Sequence, residues 1–505
     1  MSGGELDPAQ HGLGDMDPED LRAHGHRVVD WIADYLAGVG ERPVLAQVAP
    51  GEVRDRLPEA PPDEPEPFEA ALADLDDILL PGITHWNHPA FHAYFSITGS
   101  GPGILGEALA AALNVNGMLW RTSPSATELE ETVVDWLRQL LGLPGDLRGV
   151  IVDTASVATM VALAAARERA DLDVRQRGLA GRPDLPLLRI YTSEEAHSSV
   201  EKAAITLGLG RDGVRTVGTD EQRRMDPTAL GAAIREDVRF GYRPIAIVAT
   251  VGTTSTTAVD PVPAIAEVRD ELVEELGHDL WLHVDGAYGA MAAIDPELRW
   301  VLDGAEHADS LVTNPHKWLF TPIDCSVLLL RDVEVLTRAF SLVPEYLSTD
   351  DGEVTDYMNW GVQLGRRFRA LKLWLVIRYF GRHGLQERIH HHVEQARHVV
   401  AWVEKHPELV LMAPAPLSTV CFRAEPDWVP DAATGEDDDP RARAHDECNR
   451  RWLDRVNASG EAFLSHTDLD GRFTVRLALG SLHTTDERLE RTLSVLDREL
   501  AALRP

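Results

Sequence analysis

Lysine is nearly absent from this chain. Lys202, Lys317, Lys372 and Lys405 are the only lysines among 48 basic residues, so arginine supplies almost all the positive charge. A lysine kept in such a background points to chemistry that a guanidinium cannot perform, because an amine can shed its proton and arginine cannot. Positive charge of either kind is also short: against 82 Asp and Glu it leaves a net charge of −34. That balance argues against nucleic acid and anionic membrane as partners, since both would repel the surface. Cysteine is rare too. Cys325, Cys421 and Cys448 are odd in number and widely spaced, which gives neither a disulfide framework nor a metal-ligand spacing and fits a reducing compartment. Long apolar runs are missing: no stretch approaches the about 18 residues a membrane span needs, and Met1 to Asp17 is polar and Gly-rich without the apolar run of a secretory signal. The expectation is a cytoplasmic, acidic enzyme with no membrane or nucleic-acid partner and no metal.

What the chain does contain is length enough, at 505 residues, for a large central domain with smaller terminal parts. Asp17-Pro18-Glu19-Asp20 reads as a helix start, with a capping carboxylate, a proline in the first turn and acids near the positive dipole end. Val28, Val29, Trp31, Ile32 and Tyr35 then recur at helical spacing until Gly38 and Gly40. A Pro- and acid-rich connector, Pro58 to Pro67, leads to a second short helix around Phe68 to Leu80. Two helices on such a tether cannot form a core alone, so they pack either on a partner subunit or on their own chain. The stretch His85 to Phe95 is dense in aromatics and histidines, as a core or the wall of a pocket for a planar substrate would be. Ser123 to Glu130 opens a helix ending near Leu141, and Ser125 to Glu128 has capping-box spacing.

From Arg148 to Arg331 short β-branched runs alternate with helical stretches, which predicts a mainly parallel sheet covered by helices on both faces. The expected strands are Gly149 to Val152, Leu188 to Tyr191, Val214 to Val217, Ile245 to Thr250, Trp281 to Val284, Ser310 to Thr313 and Ser326 to Leu330. Ligands of such sheets bind at the carboxyl ends of strands. Polar groups gather at five of those ends: Thr154-Ala155-Ser156, Thr192 to His197, Thr250 to Thr254, Asp285 to Tyr288, and Asn314 to Lys317. Helices are expected again from Trp360 to Tyr379 and from Leu385 to Glu404. A small α+β part follows, with strands at Val410 to Met412, Thr419 to Arg423 and Phe473 to Leu479, a surface insertion from Glu425 to Glu447, and a closing helix from Asp486 to Leu503.

Thr154-Ala155-Ser156, placed between a strand and a helix, is a seat for phosphate, where free amides and the positive end of the dipole meet an anion. Asp285 at an apolar strand end can be a metal ligand, a turn residue or a charge partner; with Lys317 downstream and a phosphate seat upstream, pairing with a pyridine nitrogen becomes the specific form of the third. Lys317 itself follows the apolar run Ser310 to Thr313, where a desolvated amine is suited to Schiff-base formation.

On these residues the chain resembles the pyridoxal-phosphate-dependent group II decarboxylases, and most of all their aromatic-L-amino-acid decarboxylase branch. The stretches that carry the resemblance are Phe91 to Phe95, Ser123 to Glu130, Tyr191 to Val200, His283 to Tyr288, Asn314-Pro315-His316-Lys317-Trp318, and Leu364-Gly365-Arg366-Arg367-Phe368-Arg369. The resemblance implies the type I fold of pyridoxal-phosphate enzymes, an α/β fold acting as a homodimer on a small amino-acid substrate. Its parts would be a helical segment over 1–98 packing on the partner subunit, a large cofactor-binding domain with a seven-stranded sheet over 99–390, and a small α+β domain over 391–505.

The resemblance also implies that Lys317 bonds the cofactor, Asp285 pairs with its ring nitrogen, His197 stacks on the ring and Ala287 packs beneath it. Thr154, Ala155, Ser156, Asn314 and His316 would hold the phosphate, with Thr250 near the ring. Tyr346 matches the family's loop tyrosine, the expected proton donor, and Trp86, Tyr94 and Phe95 match its aromatic substrate wall. Two departures stand out: Ser96-Ile97-Thr98 follows Phe95 where animal members carry Pro-Thr, and Thr154 and Val157 replace the commoner Ser and Glu. The implied reaction is decarboxylation of an aromatic L-amino acid to an arylalkylamine. The alternatives are an aromatic aldehyde synthase, whose members typically carry phenylalanine in place of Tyr346, a decarboxylase of another amino acid such as glutamate, and a cofactor-binding pseudoenzyme.

Overall fold

The computed structural model describes residues 13–342, 354–430 and 440–505, which divide into two compact units. One holds residues up to Tyr94 with Ala424–Val475 and His483–Pro505; the other holds Phe95–Arg423 and Arg476–Leu482. The division thus groups the first and last stretches of the chain, where the sequence suggests three consecutive parts.

In the first unit, α1 (Pro18–Gly38) is capped by Asp17, whose side chain accepts the Glu19 amide. It meets α2 (Phe68–Asp74) and the turn that continues it through polar contacts, including Trp31 Nε1 donating to Asp76 Oδ1 at 2.8 Å. No residue of α1 is buried, and Leu21 and Val29 stand 61% and 52% exposed.

The second unit opens with α3 (Gly101–Leu113) and α4 (Pro124–Leu141). The cap of α4 is Ser123, which accepts the Ala126 amide, two residues before the expected capping box; Pro124 has no N–H to satisfy and occupies the first turn, while Glu128 accepts a bond from Trp120 Nε1 instead. Then come β1 (Arg148–Val152), α5 (Ala155–Arg169), the single turn α6 (Val174–Arg177), β2 (Leu187–Ser193), α7 (Ser199–Thr206), β3 (Val214–Val217), α8 (Pro227–Arg239), β4 (Tyr242–Thr250), α9 (Val262–Leu276), β5 (Trp281–Asp285), β6 (Ser310–Thr313), the turn α10 (Pro315–Trp318), β7 (Ser326–Leu330) and α11 (Val333–Phe340).

The seven strands form one sheet in the order β1-β7-β6-β5-β4-β2-β3, parallel except that β7 runs antiparallel to both β1 and β6. Each of the seven expected strands is present, displaced by a few residues at most. The runs read as continuously apolar because both faces are covered. Ile151, Ile247, Leu282 and Leu311 join one core cluster, and Val150, Ala246, Val248 and Val312 join another. Gly149 lets β1 lie tight on α4, since a Cβ there would stand 2.6 Å from Val134 and 2.7 Å from Leu329.

Beyond the sheet, α12 (Ala370–Lys405) is bent at Gly381, whose φ of 63° is left-handed. It begins ten residues after Trp360, where the sequence pattern places a helix start; the intervening stretch is irregular because its arginine side chains serve tertiary partners. In the same unit β8 (Leu409–Leu411) leads to β9 (Thr419–Ala424). The first unit resumes with α13 (Pro440–Ala458), which overlaps the end of the expected insertion, and with β10 (Ser465–Leu469), too polar to read as a strand. A turn at Asp470 and Gly471, both at positive φ, joins it to β11 (Arg472–Ala478), and α14 (Asp486–Ala501) closes the chain.

Candidate active site

Parallel pairing aligns the strand ends that carry the polar residues. Thr250 pairs with Asp285 and Asp285 with Val312, so the exits of β4, β5 and β6 lie level. There a cavity of about 170 Å³ opens in the second unit. Lining it are all ten residues expected to hold a cofactor: Thr154, Ala155, Ser156, His197, Thr250, Asp285, Ala287, Asn314, His316 and Lys317, together with Phe95.

The helix α5 begins with Thr154 as its cap residue, yet the Thr154 side chain makes no capping bond to its own helix. The first-turn amides of a helix have no partner within it, so this end is set for an anion. His316 faces the same cavity. Its Nδ1 accepts the Cys325 amide at 3.0 Å, which leaves the proton of the neutral ring on Nε2. Burial first, and the Lys317 cation second, push His316 down to about 4, so near neutral pH it donates without carrying charge.

Asp285, 4% exposed, lines the same cavity, with Oδ1 accepting the Ala287 amide at 3.0 Å. Lys317 sits in α10, one turn after β6, and its Nζ lies 5.2 Å from the centre of the Phe95 ring. Burial lowers the pKa of its amine; Asp285 opposes that shift and the Arg476 guanidinium adds to it. His197 is also lowered, by burial ahead of the Lys317 and Lys202 charges and against the pull of Asp285. The Ser199 amide donates to its Nδ1 at 3.1 Å, so its proton too is on Nε2.

Thr250 is held by Asp260, whose Oδ2 accepts the Thr250 amide at 2.7 Å and whose Oδ1 accepts that of Met225 at 2.8 Å; burial raises this carboxyl to about 6. The wall beside Lys317 is an aromatic ladder. Phe95 stacks on Tyr288 at 3.7 Å between ring centres, and Tyr288 on Trp318 at 4.7 Å. Tyr288 anchors the ladder through its hydroxyl, which meets Ser418 and donates to Leu479 O at 3.2 Å.

Pyridoxal phosphate fits this donor set. The free amides at a helix start, a neutral donor, a carboxylate and an amine all line the one cavity. Two buried polar atoms of residues lining the space, Thr250 Oγ1 and Asn314 Oδ1, have no partner among the described residues. A buried polar atom without a partner is costly, and a polar ligand removes that cost.

Gly252, Thr254 and Tyr288 also line the cavity; the sequence places them in the strand-end stretches Thr250 to Thr254 and Asp285 to Tyr288 without giving them a role of their own. A signal existed for the first: Gly252 has φ of 85°, and a Cβ there would fall 2.8 Å from Gly289, so the turn after β4 requires glycine. Of the expected substrate wall, Phe95 lines the cavity. Trp86 and Tyr94 belong to the first unit, where Trp86 lies 4.4 Å from Phe91 and 5.8 Å from Tyr94, ring centre to ring centre. Tyr346 lies outside the described residues.

Comparison with known proteins follows the same lines. Residues 50–425 match the pyridoxal-dependent decarboxylase conserved domain. Tyrosine decarboxylase 3 of Petroselinum crispum is 39% identical over 510 residues, covering 99% of this chain and 95% of that protein. Phenylacetaldehyde synthase of Arabidopsis thaliana is 38% identical, covering 97% of each. The crystal structure of Oryza sativa TDC with PLP and tryptamine superposes with a TM-score of 0.91 at 36% identity, covering 98% of this chain and 100% of that one.

Proposed function

This chain belongs to the pyridoxal-dependent decarboxylase family, and from that premise we propose that it converts an aromatic L-amino acid into the corresponding arylalkylamine and carbon dioxide. It is a pyridoxal-phosphate-dependent carboxy-lyase with the type I fold of such enzymes. The observation that carries the reading is the convergence of Lys317, Asp285 and the start of α5 on one cavity walled by Phe95 and Tyr288.

When bound, pyridoxal phosphate supplies an aldehyde that condenses with amines and a pyridinium ring that accepts the electron pair left as carbon dioxide departs. In our reading Lys317 offers an amine whose pKa burial lowers, which raises its share of the neutral, bond-forming state. Asp285 keeps the ring nitrogen protonated. The amides and hydroxyls of Thr154, Ala155 and Ser156, with Asn314 and the Nε2–H of His316, would hold the phosphate, and Thr250 and Ala287 would lie near the ring. His197 presents a flat, neutral imidazole whose Nε2–H is free to move a proton, since Ser199 occupies the other nitrogen. The apolar faces of Phe95 and Tyr288 exclude water and suit a planar side chain. Tyr346 delivers the proton that replaces the lost carboxyl group at the substrate's α-carbon.

Tyr346 also separates this reading from its nearest rival. An aldehyde synthase is among the relatives, and in the resemblance such enzymes carry phenylalanine at that place. Measuring carbon dioxide, amine, aldehyde and oxygen uptake with tryptophan, phenylalanine, tyrosine, their hydroxylated derivatives and glutamate decides among the alternatives. Aldehyde with peroxide from every aromatic substrate, or turnover of glutamate alone, would overturn the proposal.

Two broader proposals accompany it. The enzyme acts as a homodimer, which is supported by α1, amphipathic yet without a buried residue, and by Leu105, Leu109 and Leu113 of α3, each more than half exposed. Trp86 and Tyr94 are proposed as substrate contacts on the family resemblance alone. It works in the cytoplasm, as three buried, unbridged cysteines suggest. No helix among the described residues is long and apolar enough to cross a membrane.

A further inference from the structure

The stretch Leu364 to Arg369 carries three arginines within four residues, and two of them, Arg366 and Arg369, are each only 8% exposed. Their partners differ in kind. Arg366 serves the frame: it pairs with Glu130 at 2.5 Å and donates to Gly117 O at 3.2 Å and Ile151 O at 2.9 Å, while Glu130 accepts the Ile151 amide at 2.8 Å. Arg369 instead bridges two carboxylates, Asp153 and Asp324, reaching the two oxygens of Asp324 at 3.1 Å each. Gln363 Nε2 secures the second oxygen of Asp153 at 2.6 Å.

Each carboxylate stands one residue from an element that faces the anion seat. Asp153 immediately precedes Thr154, the cap of α5. Asp324 immediately precedes Cys325, whose amide fixes the tautomer of His316 and whose carbonyl accepts the His316 amide at 3.2 Å. Beyond the β1–β7 ladder, which ends at Val152 and Ser326, a buried guanidinium therefore ties the two halves of the anion seat together, one on the β1–α5 turn and one ahead of β7. Its rigid planar fork can span both carboxylates, which a lysine ammonium on a flexible stem cannot reproduce.

We propose that Arg369 is a positioning residue for the cofactor's phosphate, holding the start of α5 and the His316 ring at the spacing that a phosphate group bridges. The proposal rests on the reading that Thr154 to Ser156 and His316 receive that phosphate. Arg369 is not among the residues lining the cavity; it acts through Asp153 and Asp324. Arg367, 60% exposed in its side chain and 3.7 Å from Asp324, is too solvated to take over the task.

The test compares pyridoxal 5′-phosphate with pyridoxal, which lacks the phosphate, as ligands of the full-length protein after its cofactor has been stripped. Dissociation constants are read by tryptophan fluorescence and checked by equilibrium dialysis. Arg369→Lys should weaken the phosphorylated ligand on the order of tenfold, the size typical of lost supporting contacts, and leave pyridoxal unchanged. Asp324→Asn keeps Arg369 and Asp153 paired and should move the ratio the same way; it carries the test alone if Arg369→Lys does not fold. Arg366→Lys is the frame control, expected to lower melting temperature and weaken both ligands alike. Equal weakening of both ligands by Arg369→Lys and Asp324→Asn, or no change in either, overturns the proposal. Ser156→Ala probes the seat directly: if it leaves the ratio of the two ligands at the wild-type value, the phosphate reading itself fails, independently of Arg369.

Discussion

At the exits of β5 and β6 the reactive groups stand singly, whereas at the start of α5 the groups that would take the phosphate come as a set. Lys317 and Asp285 each do one thing, and the state of Lys317 is set by burial and two neighbouring charges. The anion end shares its work among helix amides, hydroxyls and the neutral His316, with Asp153, Asp324 and Arg369 behind them. Electrostatic chemistry concentrates free energy in one group at one place, while holding a dianion divides it among many modest bonds. Single changes at the first end should therefore abolish turnover with little effect on folding, and single changes at the second should erode affinity or stability by degrees.

The largest expected effect is that of Lys317→Ala, which removes the only amine in the cavity wall among the described residues. Turnover and the visible absorbance of the lysine-bound cofactor should both vanish while the circular dichroism of the fold remains. Borohydride reduction and peptide mapping of the wild type should label Lys317; label on Lys202, Lys372 or Lys405 would break the comparison at its root.

Asp285→Asn comes next. A neutral amide cannot keep the ring nitrogen protonated, so kcat should fall about 10³-fold or more with cofactor still bound. Near-normal turnover in this variant would mean that the reactive end is as redundant as the other.

Glu130→Gln tests the frame behind the anion end. It leaves the buried Arg366 guanidinium uncompensated, which costs about 3–5 kcal/mol. A shift in the urea midpoint with kcat per folded molecule preserved is the expected pattern, and lost kcat without lost stability would contradict it.

Acid offers a graded probe. Burial pushes His283, His316 and His392 each down to about 4. The unfolded chain takes up those protons near 6.5, so between about 6.5 and about 4 the unfolded state binds more protons and stability falls as pH falls, by up to about 1.4 kcal/mol per pH unit for each histidine. Above about 6.5 the contribution is fully present. His392→Asn should flatten the pH dependence of the unfolding free energy between 6.5 and 5; an unchanged slope would show that this ring titrates normally.

The smallest change in rate, with the largest change in outcome, belongs to Tyr346→Phe. Ring volume is kept, so KM should move little, while product shifts from amine towards aldehyde, ammonia and peroxide. Amine yield unchanged with no oxygen uptake would move the proton donor to another group, His197 first.

Much of this molecule was legible in its sequence, and the reason is local. All seven strands were found because parallel strands buried on both faces leave unbroken β-branched runs, and the polar residues that interrupt them mark where ligands bind. The seat proposed for the phosphate, Asp285 and Lys317 follow from that pattern, because each sits at a strand end whose chemistry its neighbours in the chain announce. Boundaries governed by distant partners were not legible. The cap of α4 at Ser123 and the late start of α12 depend on bonds to Trp120, Glu130, Asp153 and Asp324, and β10 is a strand by pairing rather than by composition. Tertiary structure alone decided which nitrogen of His316 carries the proton, that burial and Arg476 lower Lys317, and that Arg369 grips Asp324 together with Asp153, the latter across more than two hundred residues of chain. Hydrophobic periodicity is written between near neighbours, whereas a tautomer, a shifted charge and a bridging guanidinium are properties of atoms that only folding brings within reach.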